Sequence, residues 1–348
     1  MPASDVEELS TRLAAFIARE SGAAEGSVRV SGLRRLAGGA SRELWSLDAD
    51  WEAGAPGGAR RMALVLRRDP PGRTGDFSER RVEFDLLRRA AASRVPVPRV
   101  HWACSDSEVL ETPFFLMDRL EGETIPRRLL RDDAYAAARE GMVDDLGAIL
   151  ARIHAIDVDR RRLRGLARPG PERSAAEDQL ALAVAAVHEL APDPHPVLEL
   201  AARWLEARLP RSDRQTLVHG DYRIGNVMFD ARGVVAILDW ELAHVGDPVE
   251  DLGWLCTKAW RFGSAQPAGG IGTREALLEA YEKAGGGPVS LEHLRFWEAL
   301  GSFKVAVVFI RQAHVHLSGA MPSLELASLG RRTAEAEEAL VEILEEAR

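Results

Sequence analysis

A histidine, an aspartate and an asparagine crowd one short segment, "LVHGDYRIGNVMFD", in which a single glycine separates His219 from Asp221 and Asn226 follows Asp221 by five residues. Apolar runs flank the segment, and polar side chains set against buried runs need hydrogen-bond partners or a chemical task. From Asn226 the chain reads "NVMFD", turns through "ARG" and returns as "VVAILDW". Two β-rich runs about a three-residue turn containing Gly233 predict a hairpin. With its centre near Arg232, Asn226 faces Leu238 across the ladder, and Asp239 arrives beside Asn226. An amide oxygen and a carboxylate at one place suit Mg²⁺, which binds through one or two protein oxygens plus phosphates and water. Asp221 then lies within reach of that place without ligating the ion, as a general base or orienting group for an attacking hydroxyl does. An isolated HGD is also compatible with an ordinary capped turn. That reading accounts for neither Asn226 nor Asp239.

The elements that must position these residues divide in character along the chain. An acidic amphipathic helix, "MPASDVEELSTRLAAFIARESG", comes first, followed by β-like runs "VRVSGLRRLAG", "SRELWSLDAD" and "MALVLRR". A helix, "FSERRVEFDLLRRAAAS", stops before "VPVP", where proline disfavours helix in its predecessor. Strands "RVHWACS" and "PFFLMDRL" complete a strand-rich, single-helix unit ending near Met117. From residue 118 onward the pattern is mostly helical, with helices expected in "AYAAAREGMVDDLGAILARIHAI", "HPVLELAARWLEARL", "TREALLEAYEKAG", "LEHLRFWEALGSFKVAVVFIRQ" and one long segment from about Leu324. The HGD segment is a β island inside this helical half. The fold class expected is α+β, with domains at 1–117 and 118–348.

Composition narrows the function. The 348 residues are 46% hydrophobic and 28% charged, the profile of a folded chain large enough for two compact units. A formal net charge of -9 argues against nucleic acid or anionic membrane as a general partner. The arginine-rich "RRRLRGLARP" reads as solvated surface. Cys104 and Cys256 lack CxxC spacing and indicate neither a disulfide framework nor a zinc site. The N-terminal helix has no basic start and apolar core of the secretory type, and the longest apolar runs are too short to span a bilayer. A cytoplasmic location is expected.

"HGDYRIGN" followed by "ILDW" resembles the catalytic segment of the aminoglycoside phosphotransferase and choline kinase-like family, most closely its acyl-CoA dehydrogenase-linked branch. The family is related to the protein kinases, whose corresponding parts are the H-R-D-x-x-x-x-N loop and the DFG aspartate. The resemblance implies a protein-kinase-like, two-lobed fold with a nucleotide-binding N-terminal lobe and a catalytic, substrate-binding C-terminal lobe. It makes Asp221 the catalytic base, Asn226 and Asp239 the Mg²⁺ ligands, and His219 a structural brace. ATP or GTP becomes the phosphoryl donor, and a small-molecule hydroxyl the acceptor. Gly38, Gly39 and Ser41 in "LAGGASREL" fall at the phosphate-covering turn, although a plain hairpin turn reads equally well there. Arg67 in "MALVLRRDPPG" takes the position of the family's phosphate-binding lysine. Glu83 matches its helix partner, the other reading being an exposed helix charge, and the backbone at Met117 lies where the adenine pocket is lined. His154 reads as a satisfied core histidine. Asp247 and Asp251 read as structural, Asp247 as a helix cap and Asp251 as a support for the metal loop.

Two alternatives stay open. A regulatory nucleotide-binding module without transfer is favoured by Arg67 in place of lysine, and a metal-dependent phosphoesterase uses the same three oxygen-bearing residues. The acceptor is expected to be anionic, because Trp297, Lys304 and Arg311 are spaced by seven on one helix face. A lysine in so apolar a stretch otherwise snorkels outward or pairs with a structural acid.

Overall fold

The computed structural model describes residues 3–36, 43–52, 59–69, 78–159, 163, 165–212 and 214–346. The chain separates into two compact units, one mainly of residues 1–92 and 97–121 and one mainly of 122–162 and 166–348.

The first unit holds α1 (Ala3–Ser21), β1 (Arg29–Arg35), β2 (Glu43–Glu52), β3 (Ala59–Arg68), α2 (Ser78–Ala92), β4 (Val100–Cys104), the single turn α3 (Ser107–Leu110) and β5 (Phe114–Asp118). Its described strands form an antiparallel sheet in the order β1-β2-β3-β5-β4. On α1, Leu9, Leu13, Phe16 and Ile17 recur at helical spacing and pack on Trp45, Leu47, Leu64, Leu66, Phe114 and Leu116. Period-two alternation sends Val65, Arg67 and Phe115 to the other face, where α2 brings Phe84 to 6.1 Å from Phe115. The expectation of a single-helix unit is therefore corrected. α1 covers one face of the sheet and α2 the other, because a sheet with apolar side chains on both faces needs two covers.

The second unit contains α4 (Pro126–Arg131), α5 (Ala136–His154), α6 (Ala175–Leu190), α7 (Pro196–Glu206), β6 (Thr216–Val218), β7 (Val227–Asp230), β8 (Gly233–Ile237), β9 (His244–Gly246), α8 (Val249–Cys256), α9 (Arg274–Lys283), α10 (Leu291–Leu317), α11 (Leu324–Arg331) and α12 (Thr333–Glu346). The sequence pattern passed over α6, although Ser174 and Glu177 form a capping box at its start. The expected C-terminal helix is two, broken at Arg332. α10 is buried nearly all round between Leu294 and Ile310, as a central helix must be, and packs on α6, α8, α11 and α12. Gly253 lets α8 come close, since a Cβ there would collide with Trp297. Cys104 and Cys256 are both buried thiols. Among the described residues no helix is long and apolar enough to cross a membrane.

The β island survives as two small pairs, β6 with β9 and β7 with β8. In the β7–β8 hairpin Val227 pairs with Ile237 and Met228 with Ala236, and the Leu238 N–H donates to the Asn226 carbonyl at 2.8 Å. This is the register expected for Asn226 and Leu238. The turn itself differs. Asp230 pairs with Gly233 across two residues, and a register shift beyond Met228 absorbs the extra residue as a bulge.

Candidate active site

β6 delivers His219 into a turn held from below by one carboxylate. The N–H groups of His219 and Gly220 donate to the two oxygens of Asp251 on α8, at 2.8 and 2.9 Å. Gly220 has φ +80°, and a Cβ there would collide with the Leu242 carbonyl, so the turn requires glycine. Asp251 is fully buried and also meets His154 Nε2 at 3.2 Å, while His154 Nδ1 meets the Tyr281 hydroxyl at 2.9 Å. His154 is thus the satisfied core histidine its context indicated. Asp251 fastens the HGD turn itself, which corrects its expected place beneath the metal loop.

His219 connects the two halves of the site. Its Nδ1 accepts the Asp221 N–H at 3.2 Å, so its proton sits on Nε2, which donates to the Leu238 carbonyl at 3.1 Å. Burial holds its pKa below the ordinary histidine value, against the opposing pull of Asp251, Asp221 and Asp239. A neutral imidazole therefore ties the Asp221 turn to the strand end that carries Asp239.

The Asp221 carboxylate is gripped by three donors. Oδ1 accepts from Trp254 Nε1 at 2.8 Å and Arg223 Nε at 2.9 Å. Oδ2 accepts from Asn226 Nδ2 at 2.6 Å and from the same Arg223 Nε at 3.2 Å. Asn226 Nδ2 also donates to the Asp221 carbonyl at 2.9 Å. Both partners of that nitrogen are acceptors, which fixes the amide orientation and leaves Oδ1 as the end available to a cation. Asp239 stands at φ +64°, a left-handed conformation that costs an aspartate about 1 kcal/mol. Asp239 directly follows Leu238, whose N–H bonds the Asn226 carbonyl, and an amide oxygen and a carboxylate are ligand types that suit the hard-oxygen preference of Mg²⁺.

Arg223 is not singled out by sequence, and Trp254 reads there only as a core or pocket-wall indole. A usable signal existed for each: Arg223 shares the turn with Asp221, and Trp254 lies one helical turn beyond Asp251 on the same face of α8. The Arg223 guanidinium stacks on Trp260, 4.7 Å from its centroid. Asp247, expected as the cap of α8, lies one residue before the cap position. Pro248 is the cap residue of α8, while Asp247 accepts from the Val249 N–H at 2.9 Å and from His293 at 2.8 Å.

In the first unit, Arg67 Nε lies 2.8 Å from Glu83 Oε1, both side chains nearly buried. Arg80 binds the same glutamate and approaches Asp69 at 3.4 Å. Arg68 points to the opposite face, paired with Glu43 at 2.9 Å. Met117 is half-buried on β5, opposite Val65 and Val100. Gly38, Gly39 and Ser41 lie outside the described residues. Lys304 and Arg311 are not brought to one place of action: Arg311 is exposed, and the Lys304 ammonium meets Glu250 at 2.7 Å and Gln179 at 3.1 Å. Pairing with a structural acid was the alternative reading of Lys304.

A five-stranded antiparallel sheet with a flanking helix, followed by a helical unit that carries HGD, asparagine and aspartate on a β island, defines a kinase-like fold. Solved structures share it. A Ralstonia eutropha protein provisionally designated an aminoglycoside phosphotransferase superposes with a TM-score of 0.75 at 22% identity, over 96% of this chain and 98% of that one. A macrolide 2′-phosphotransferase from Brachybacterium faecium does so with 0.60 at 19%, over 93% and 97%. At the level of sequence, residues 32–297 match the phosphotransferase enzyme family, and the chain belongs to it. Acyl-CoA dehydrogenase family member 10 of Mus musculus is 30% identical over 78% of this chain and 26% of its own length. Family member 11 of Homo sapiens is 28% identical over 70% and 32% respectively. The chain thus spans roughly a quarter to a third of the curated relatives it matches.

Proposed function

We propose that the chain transfers the terminal phosphoryl group of ATP or GTP to a hydroxyl group of a small molecule, with Asp221 taking or orienting the hydroxyl proton. The observation that carries this reading is the Asp221 carboxylate held in one orientation by Trp254, Asn226 and Arg223, with the Asn226 Nδ2 committed to Asp221 so that its Oδ1 is left for a cation. Asn226 and Asp239 would hold Mg²⁺, which when bound neutralises charge on the nucleotide phosphates. Arg67, set by Glu83, contacts phosphate; its guanidinium offers paired donors where the family uses a lysine. Gly38, Gly39 and Ser41 cover the phosphates, and backbone groups at Met117 meet the base.

For the acceptor, we assign a cavity of about 1080 Å³ in the second unit, lined in part by Trp260, Val305, Phe309, Leu329 and Ala336. Its two acids, Glu335 and Glu338, are outnumbered by the basic lining residues Arg127, Lys258, Arg261 and Arg332, and Glu335 is paired with Arg332 at 2.9 Å. Polycationic aminoglycosides need carboxylates to receive their ammonium groups, so this lining favours an uncharged or anionic acceptor with an apolar body. Lys304, occupied by Glu250, lends the anionic reading less support than its helix position promised.

The test is a screen of hydroxyl compounds, cationic and anionic, with γ-labelled ATP and GTP, read by the mass of phosphorylated product. A product appearing with wild-type chain and absent with Asp221→Asn supports the reading. Nucleotide binding without any product across the library favours the regulatory module that Arg67 suggests. Release of phosphate from esters without nucleotide points to the phosphoesterase.

A further inference from the structure

Lys304 poses the problem that leads furthest. Between Ala299 and Ile310 the helix α10 is apolar and largely buried, and a lysine there is costly unless its ammonium is matched. The structure matches it on three sides. Glu250 and Gln179 accept from Nζ, and the ring of Trp254 lies beneath it, 5.6 Å from Nζ to the centroid. Glu250 is 3% exposed, and its second oxygen meets His244 at 3.2 Å. Glu250 and Trp254 are four apart on α8, so one helix face presents both the acid that anchors the ammonium and the ring on which it rests.

The other edge of that ring is the N–H held by Asp221. Trp254 is 6% exposed, so water competes little for the bond. A cation against an indole face is attracted by the ring's electron density and draws it away from the N–H, which becomes a better donor. Resting on the assignment of Asp221 as base, we propose that Trp254 and Lys304 are positioning residues: the ammonium, anchored by Glu250, seats and polarises the indole, and the indole N–H holds the Asp221 carboxylate in the orientation that receives a hydroxyl. Fixing a base in advance removes a reorientation from the reaction step and acts on turnover more than on nucleotide affinity. If Lys304 and Glu250 were only a packing pair, replacing both together would leave Asp221 and its indole partner undisturbed.

The full chain labelled with ¹⁵N-tryptophan carries eight indoles. Trp254→Phe deletes one indole N–H signal and so identifies it. In the resting chain this signal is expected to move in Asp221→Asn. Its exchange with solvent is expected to quicken by about tenfold in the double variant Lys304→Gln with Glu250→Gln, which keeps a neutral hydrogen-bonded pair, while the other seven signals hold. Because the signal reports on the resting chain, it decides the geometry whatever the rate of turnover. The second arm measures phosphate release from MgATP with water as acceptor. Trp254→Phe should lower the rate about tenfold, with KM for MgATP within about twofold. The double variant should lower it about threefold in the wild-type background and not at all on top of Trp254→Phe, since its influence passes through the lost N–H. An indole signal indifferent to Asp221→Asn overturns the proposal, as does a double variant costing the same in both backgrounds. Full phosphate release by Trp254→Phe beside an impaired Asp221→Asn overturns the brace alone. Full release by Asp221→Asn overturns the base assignment and the brace with it.

Discussion

Arg67 in the first unit and Asp221 in the second carry opposite charges and are held by different means. Arg67 is set by an acid that Arg80 shares, so its position depends on a nearly buried ion-pair cluster spread over β3 and α2. Asp221 is set by an indole, an amide and one guanidinium, all reaching it from within its own turn or from α8. A buried ion pair adds little net stability but is costly to break on one side, because the survivor keeps its desolvation penalty. At Asp221 two neutral directional donors, the Trp254 indole and the Asn226 amide, fix the orientation beside a single charged partner, Arg223. Damage to the first cluster should therefore appear in folding and nucleotide affinity, and damage to the second in turnover.

The largest effect expected is at the second. Asp221→Asn should slow phosphate release from MgATP by roughly 10² to 10⁴ while leaving nucleotide affinity in place, since it removes the base and keeps the shape. A loss seen only in affinity would erase the contrast between the two regions.

A pH experiment asks whether the second unit also contains a cluster of the first kind. Burial pushes the Glu250 carboxyl up, but the ammonium of Lys304 and then His244 outweigh it and bring it down to about 2. A carboxyl below its unfolded value stabilises fully above about pH 4.5, and the benefit is lost as pH falls from there toward 2, where the unfolded chain takes the proton first. Between pH 5 and 3 the wild-type chain should lose about 2 kcal/mol more than Glu250→Gln in urea unfolding. Parallel losses would show that Glu250 gains nothing from its neighbours.

Asp239→Ala should weaken nucleotide binding by about tenfold with Mg²⁺ present and by much less without it, because the missing carboxylate serves the ion. Titration calorimetry with and without the metal checks this, and equal losses would remove Asp239 from the ligand set. The smallest effect belongs to the Arg67 pair. Arg67→Ala should cost several-fold in nucleotide affinity together with thermal stability, roughly 1 kcal/mol in binding, and Arg67→Lys should recover most of the affinity. An alanine variant that binds nucleotide and melts like wild type would shift the phosphate role to another residue.

Much of this was legible in the chain because it depends on short-range rules. The pairing of Asn226 with Leu238 followed from period-two strands about a tight turn, and the miscount of that turn was absorbed by a bulge, so the Leu238 N–H still meets the Asn226 carbonyl. The Arg67–Glu83 contact was expected from the family resemblance, with alternation along β3 choosing Arg67 over Arg68. That Lys304 pairs with an acid was legible as one of its two readings, but which acid, and the bond from Trp254 to Asp221, were not. The place of Trp254 one helical turn beyond Asp251 marks the face of α8 that it shares, but not the carboxylate 33 residues away that its indole meets.

By itself the sequence determined most of the order of elements and the hairpin register that sets Asn226 against Leu238, because backbone period, proline placement and turn chemistry act over a few residues. Tertiary structure decided the partners. Glu250 reaches Lys304 across 54 residues, and Asp251 reaches His219 across 32 and His154 across 97. Over such separations the chain offers many apolar stripes of similar strength and many acids for each cation. Only the packing of α5, α8 and α10 into one dense interior selects which acid lies under which donor, since a buried charge is tolerated solely where its match already stands.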